Sequence, residues 1–372
     1  MKPNNKRRPV GRLVVLLWAA SAVAAAVEPP QLLRQSQQRT PAPPWPSDDQ
    51  RGMANAIGEG TWARCAWHLQ QAGAQSFELS YLRSNTMPKS PFSGPYDYDY
   101  GATRGLPGTL HAFNGESLRA GAEPGAQATQ MDALGHFAHL TQAWDGQGAP
   151  TTSEAEYYGG LRQKDVKPQP DSPLQRLGIE NAPPLVTSGV LLDAKRFLND
   201  GKPMAAGQLV TAEGIQRMLQ AQGLAKRGIL PGDVVWVRTG WGDYWTDPDT
   251  NKSYYTQGPG LSSDAARYLA ERRIVLVGLD TPFVDPVPAG MLLGKSGPAE
   301  GTPPGLPFFL HHQMLSVAGI HLIQNANLKA AADAGVWTSC TMILPIREGG
   351  AAGSPVRPVA IGVPTRGVAP HK

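Results

Sequence analysis

The spacing of apolar and polar residues divides the chain into short elements. From Gly60 to Gln71 the apolar positions Trp62, Cys65, Ala66 and Leu69 recur at helical spacing, and Gly73 supplies a stop. Ser76 to Leu82 then alternates with the period of two that a strand requires. Residues 84–108, heavy in Pro, Gly and Tyr, read as a long loop, and a loop of that length is often functional. Gly108 to Phe113 reads as another strand. Residues 141–177 carry few apolar repeats and read as a surface excursion, with Tyr157-Tyr-Gly-Gly160 near its middle.

The second half is more regular. Pro184 to Asp193 reads as a buried strand by its β-branched content. Thr211 to Gln220 is an amphipathic helix with Thr211 as N-cap. A Pro231-Gly-Asp turn leads into the strand Val234–Arg238, which ends at Thr239-Gly-Trp-Gly. A helix over Ser262–Arg272, capped by Ser262 or Ser263, precedes a fully apolar strand, Ile274–Leu279. Helix, strand, helix and strand in that order predict an α/β domain. Further on come a helix over Leu306–Val317 carrying His311 and His312, a short strand at Ile320–Ile323, and a helix after Leu328. Closing strands span Trp337–Ile346 and Val356–Val363, joined by the Gly-rich Glu348–Pro355. No repeat with a period of 20–50 residues is present.

Composition changes this picture at the N-terminus. Lys2, Lys6, Arg7, Arg8 and Arg12 precede an apolar core, Leu13–Ala20, and small-residue cleavage sites at Ala22-Val-Ala24 and Ala24-Ala-Ala26. Residues 1–26 therefore read as a cleaved export signal, too short for a comfortable membrane span. Arg7-Arg8 hints at twin-arginine export, but the following Pro-Val-Gly favours general secretion. Residues 27–52, rich in Pro and Gln, read as a flexible leader, with the domain over 53–365 and a tail at 366–372. The expected location is periplasmic or secreted. Removing the signal takes five basic and no acidic residues from totals of 34 and 30, leaving 29 against 30. The mature chain is then near neutral, with no basic cluster for nucleic acid and no membrane attachment. Cys65 and Cys340 suit one disulfide in an oxidising compartment, and two independent buried thiols fit equally well.

The candidate chemistry centres on Gly125–His139. In an extended segment Gln130 and Asp132, at i and i+2, point to one side. A turn over Ala133–Gly135 brings His136 back over the same pocket. A carbonyl oxygen, a carboxylate and an imidazole on one wall could hold a divalent cation and supply a proton-transfer group. Asp and His as ordinary turn and capping residues are the plainer reading of the stretch alone.

Several patterns, taken in order from about Gly60 to Val363, resemble the metal-dependent cyclase family, which includes bacterial kynurenine formamidase and isatin hydrolase. They are Ser76-Phe-Glu-Leu-Ser-Tyr, Gln130-Met-Asp-Ala-Leu-Gly-His, Gly178-Ile-Glu, Gly189-Val-Leu-Leu-Asp and Pro231-Gly-Asp-Val-Val-Trp-Val-Arg-Thr-Gly-Trp-Gly. Pro259-Gly-Leu, His312 with Gln324 twelve residues later, Asn325-Ala-Asn-Leu and Gly353-Ser-Pro-Val-Arg-Pro-Val-Ala complete the set. The resemblance implies an α/β domain of the swivelling β/β/α type, a mixed sheet with flanking helices. It also implies hydrolysis of an amide or related C–N bond, a divalent metal ion (Mn or Zn), and a homodimer or homotetramer acting on a small molecule. Its metal carboxylate falls on Asp132, its catalytic histidine on His136, and two more distant site positions on His312 and Gln324.

The departures are equally specific. The two metal-ligand histidines of the signature fall on Ala126 and Gln130, and its glycine on Ala128. Ala126 offers no ligand atom, and Gln130 only a neutral carbonyl oxygen, which suits Mn²⁺, Mg²⁺ or Ca²⁺ better than Zn²⁺. Three outcomes follow: an altered oxygen-rich site, a ligand recruited from elsewhere, with His111 a candidate, or a fold kept without its hydrolysis. Trp241, Tyr157 and Tyr158 are candidate walls of an aromatic substrate pocket, and His139 and His321 read as structural. Two functions stay open: an exported arylformamidase-like amidohydrolase, and a non-catalytic periplasmic binding protein. Tryptophan breakdown, the family default, is usually cytoplasmic and sits awkwardly with export.

Overall fold

Nine strands form one mixed sheet, and the apolar runs of the sequence fall at its centre. The computed structural model describes residues 27–121, 125, 127–147 and 155–365; the expected signal and tail lie outside them. In chain order the strands are β1 (Gln75–Glu78), β2 (Gln130–Asp132), β3 (Leu185–Asp193), β4 (Val234–Arg238), β5 (Leu276–Leu279), β6 (His321–Gln324), β7 (Thr338–Ile343), β8 (Gly353–Pro355) and β9 (Val359–Gly362). Across the sheet they run β1-β9-β7-β3-β4-β5-β6-β2-β8. β3 to β6 are parallel neighbours; every other pairing is antiparallel. Strands covered on both faces need apolar residues at every position, which is why Val234–Val237 lack alternation and are at most 1% exposed. Full burial of each such side chain contributes about 1.5–3 kcal/mol. Gly278 on β5 is dictated by a neighbour: a Cβ there would stand 2.3 Å from the ring of Trp236.

Capping predicted from sequence is realised. The hydroxyl of Thr211 accepts from the Gly214 N–H at 3.0 Å to start the helix Ala212–Ala221. Ser262 accepts from Ala265 at 3.3 Å to start Ser263–Glu271.

Four expectations need correction. The helix near Trp62 spans Glu59–Leu69, but it buries Thr61, Arg64, Cys65 and His68 and leaves Trp62 54% and Leu69 45% exposed. The polar face goes inward because it meets compensating charge: Arg64 Nη2 lies 3.3 Å from Asp233 Oδ1, and His68 Nε2 lies 3.3 Å from Glu28 Oε1. Residues 27–52 are accordingly not a free leader. Pro30–Gln38 is a helix packed on Glu59–Leu69, and the carboxylate of Glu28 takes two hydrogen bonds from Arg227, at 3.1 and 2.9 Å. The loop over 84–108 contains a strand, Tyr96–Tyr100, paired with Glu116–Ala120, while only Ala112–Phe113 of the expected 108–113 strand pairs, with Arg104–Gly105. Finally, the helix over 306–317 is one turn, Phe309–His311, followed by a π-helical segment, His312–Ala318.

The cysteines are joined. The Cys65–Cys340 disulfide ties the helix Glu59–Leu69 to β7 across 275 residues. No helix among the described residues is long and apolar enough to cross a membrane.

Candidate functional site

The site is built on β2 and β6, which lie side by side and antiparallel. The register pairs Gln130 with Gln324 and Asp132 with Leu322. Residues directly opposed on neighbouring strands share a face, so Gln130, Asp132 and Gln324 converge. The carboxamide nitrogen of Gln324 donates to Asp132 Oδ2 at 2.6 Å. Beneath them, the buried His321 ring contacts the Asp132 carbonyl at 2.9 Å through Nδ1, which gives it the structural role expected.

After β2 the chain turns, with His136 N donating to the Ala133 carbonyl at 3.0 Å and Gly135 N to Leu177 at 2.9 Å. That turn returns His136 to the pocket. The opposite wall supplies His311. Asp285 fixes it threefold: its carboxylate accepts from the Leu310 N–H at 2.6 Å and the His311 N–H at 3.4 Å, and contacts His311 Nδ1 at 2.6 Å. Nε2 then faces Asp132 Oδ2 at 3.6 Å and Gln324 Nε2 at 3.3 Å. Burial draws the His311 pKa down, but the hydrogen bond its ring donates to Asp285 and the charges of Asp285 and Asp132 more than offset it, leaving it above its ordinary value.

Asp132, His136 and His311 each offer a ligand atom, all within 4.8 Å of one another. Ligand atoms held about 2.0–2.2 Å from one ion lie no more than roughly 4.4 Å apart. A closure of a few tenths of an ångström would therefore centre a cation. One carboxylate and two imidazoles suit Zn²⁺ or Mn²⁺, and the donor set fits a metal ion. It joins His311 to Asp132 and His136, the two residues singled out in the sequence. The structure places His312 one residue along, its ring 4.7 Å from that of His139, with burial and His139 depressing its pKa. The distant histidine is therefore His311, because the π-helical segment beginning at His312 shifts the register by one residue. Gln324 turns its nitrogen, not its oxygen, to Asp132. Gln130 lines the pocket beside them. Ala126 lies outside the described residues. His111 sits on an exposed ribbon, since residues 101–120 are exposed throughout, away from the clustered groups.

Above this cluster lies a cavity of about 310 Å³ lined by Phe92, Phe137, Tyr255, Phe283 and Phe308 along with Ser90, Ser93 and Pro282. Phe137 packs on His311 with ring centroids 4.6 Å apart. The three aromatic residues expected to wall it stand elsewhere. Trp241 is buried, donating from Nε1 to the Tyr254 carbonyl at 3.1 Å; its cluster neighbour Tyr255 reaches the cavity in its place. Tyr157 bonds Gln163 at 2.8 Å and Tyr158 bonds Asp49 at 3.0 Å. A larger groove, about 760 Å³, includes Glu78, Tyr81 and Arg357. There Glu78 and Arg357 pair with each other at 2.8 and 2.9 Å and Arg83 donates to the Gln127 carbonyl at 3.0 Å, so the chemistry is assigned to the smaller cavity.

Asp285 and the phenylalanines escape sequence reasoning because single apolar or acidic residues in loops carry no periodic signal. Asp285 had one cue, its place just beyond the Asp280-Thr-Pro close of a buried strand, where ligands gather in α/β sheets.

Comparison with known proteins agrees with this fold. No curated protein sequence matches the chain. A crystal structure described as a novel cyclase matches at 25% identity with a TM-score of 0.66, covering 85% of this chain and 95% of that one. Isatin hydrolase A from Ralstonia solanacearum matches at 18% identity and a TM-score of 0.51, covering 80% and 95%. An isatin hydrolase bound to the product analogue thioisatinate gives 18% and 0.51, covering 78% and 93%. The Cyclase family model matches residues 59–286, a span that holds Asp132, His136 and Asp285. More than half of the chain is thus accounted for, and the protein belongs to the cyclase family.

Proposed function

We propose that the chain is a metal-dependent hydrolase that cleaves the C–N bond of a small aromatic amide, N-formyl or cyclic. The observation that carries this reading is the cluster of Asp132, His136 and His311, whose two histidines line an aromatic-walled cavity. Asp132 and His311 would hold the ion, and His136, although near enough to be a third ligand, would stay off it so that its ring nitrogen is free to move a proton. A bound ion supplies polarisation of the carbonyl and acidification of a water. Asp285 aims His311 by holding Nδ1, so that Nε2 faces the carboxylate. His136, the more exposed imidazole, takes a proton from water as its hydroxyl adds to the carbonyl carbon. It returns that proton to the nitrogen as the C–N bond breaks, so one water gives an acid and an amine. Phe137, Phe283 and Phe308 exclude solvent and grip the ring. Export to the periplasm and assembly as a homodimer belong to the same proposal.

The test is hydrolysis of N-formylated anilines and aromatic lactams by purified protein, with and without chelator. Turnover that a chelator abolishes and Mn²⁺ or Zn²⁺ restores supports the reading. Turnover indifferent to chelator would remove the metal from it.

A second reading has its own support. Among the described residues the Asp132 carboxylate is met by Gln324 and His311, so the pocket is also self-consistent as a non-catalytic site for a periplasmic binding protein. Binding of such amides without turnover in metal-loaded protein would favour it.

A further inference from the structure

A second pair of imidazoles meets just past the pocket histidines. His139 stands on the two-residue strand His139–Leu140 that follows the pocket turn, and His312 opens the π-helical segment His312–Ala318. Their ring centroids lie 4.7 Å apart with the planes tilted by 43°, and both side chains are half-buried. Consecutive residues of a helical segment project roughly 100° apart. His312 therefore points away from the Asp132 carboxylate that His311 faces. Its Nδ1 is enclosed without a partner, and neither ring takes a hydrogen bond among the described residues.

The separation is the one that chelation requires. An ion bound through a ring nitrogen at about 2.0–2.1 Å stands roughly 3.2 Å from the centre of that ring. Two such rings 4.7 Å apart subtend about 95° at a shared ion, which lies between the octahedral and tetrahedral angles. The neighbouring strand adds an oxygen donor. Glu156 lies directly opposite His139 in the register, so their Cβ atoms are about 5 Å apart on one face. Its partly exposed carboxylate is held 2.6 Å from Arg162, an exchangeable surface partner.

We propose that His139 and His312 chelate a divalent ion that favours imidazole, Zn²⁺, Cu²⁺ or Ni²⁺, with Glu156 as the third donor. This site is separate from the Asp132 cluster and does not depend on the hydrolase reading. The ion ties the strand behind His136 and Phe137 to the segment behind His311, and so braces two walls of the cavity from outside. Because Arg162 competes for Glu156, the site is the weaker of the two and empties on dialysis.

The experiment is calorimetric titration of chelator-treated, tag-free full chain with ZnSO₄, the chelator having been removed. His139→Gln and His312→Gln should each take up one equivalent less than the native chain, and Glu156→Gln should bind that equivalent more weakly. Asp132→Asn should keep an equivalent that Asp132→Asn/His139→Gln loses. Zn²⁺ should also raise the thermal midpoint of Asp132→Asn, since an ion bound only by the folded state stabilises it, and leave that of the double variant unmoved. Melts without Zn²⁺ check that each variant is folded. Equal uptake with and without His139, or no uptake by Asp132→Asn, would overturn the proposal. If Asp132 holds no metal, the native chain takes up a single equivalent that His139→Gln still removes, so the two readings fail separately.

Discussion

Asp285 Oδ2 stands 2.6 Å from His311 Nδ1, while the other ring nitrogen faces Asp132. A carboxylate behind a ligating histidine fixes ring and tautomer, and its loss costs about 10–100-fold in metal affinity. Asp285→Asn should weaken Mn²⁺ or Zn²⁺ binding by that factor in calorimetry without abolishing it. Unchanged affinity would remove His311 from the ligand set.

Glu28 is expected to act on stability rather than chemistry. Burial alone would raise its pKa, but the charge of Arg227 and the bonds from His68 and Arg227 outweigh that, holding it well below the carboxylate range. A depressed carboxylate contributes stability that is present above its unfolded value of 4.5 and lost as pH falls through the folded value. Breaking a buried pair costs about 3–5 kcal/mol. Glu28→Gln should therefore lower urea-unfolding stability by roughly that amount near neutral pH, and the gap should narrow below about pH 4.5.

The fold was legible where periodicity was long or continuous. β3, β4 and β5, the capped helices at Ala212 and Ser263, and the pocket strand with Asp132 and His136 all follow from local pattern. Pattern failed where tertiary charge overrode it. Arg64 and His68 face inward because groups far apart in sequence meet them: Asp233, Ser188, Ser36 and the Pro231 carbonyl for Arg64, and Glu28 for His68. It failed again at His311 and His312, since spacing cannot reveal a π-helical shift of one residue. The aromatic wall was unreadable because its members come from separate loops.

Ala128 carries a trace of the signature glycine. Its φ is +60°, a left-handed conformation that costs an L-residue roughly 1–2 kcal/mol. The backbone is held there by Tyr255, whose hydroxyl takes the Ala128 N–H at 3.2 Å, and by Asn325, which donates to its carbonyl at 2.7 Å. Ala128→Gly should be neutral to stabilising by about 1 kcal/mol in thermal melts, and Ala128→Val destabilising.

The Cys65–Cys340 bridge closes a span of 275 residues, and removing such a link typically costs about 2–5 kcal/mol. The double variant Cys65→Ser/Cys340→Ser should unfold at lower urea concentration than the oxidised protein and match the reduced one. Equal midpoints in all three would mean that the bridge contributes nothing.

Metal content is the most direct test of the account. Purified protein dialysed against MnCl₂ or ZnSO₄, then against buffer, is analysed by plasma mass spectrometry beside Asp132→Asn. Stoichiometric metal in the native chain and its loss in Asp132→Asn is the predicted result. Native protein that retains no metal, or a variant that retains as much, would contradict a cation at Asp132.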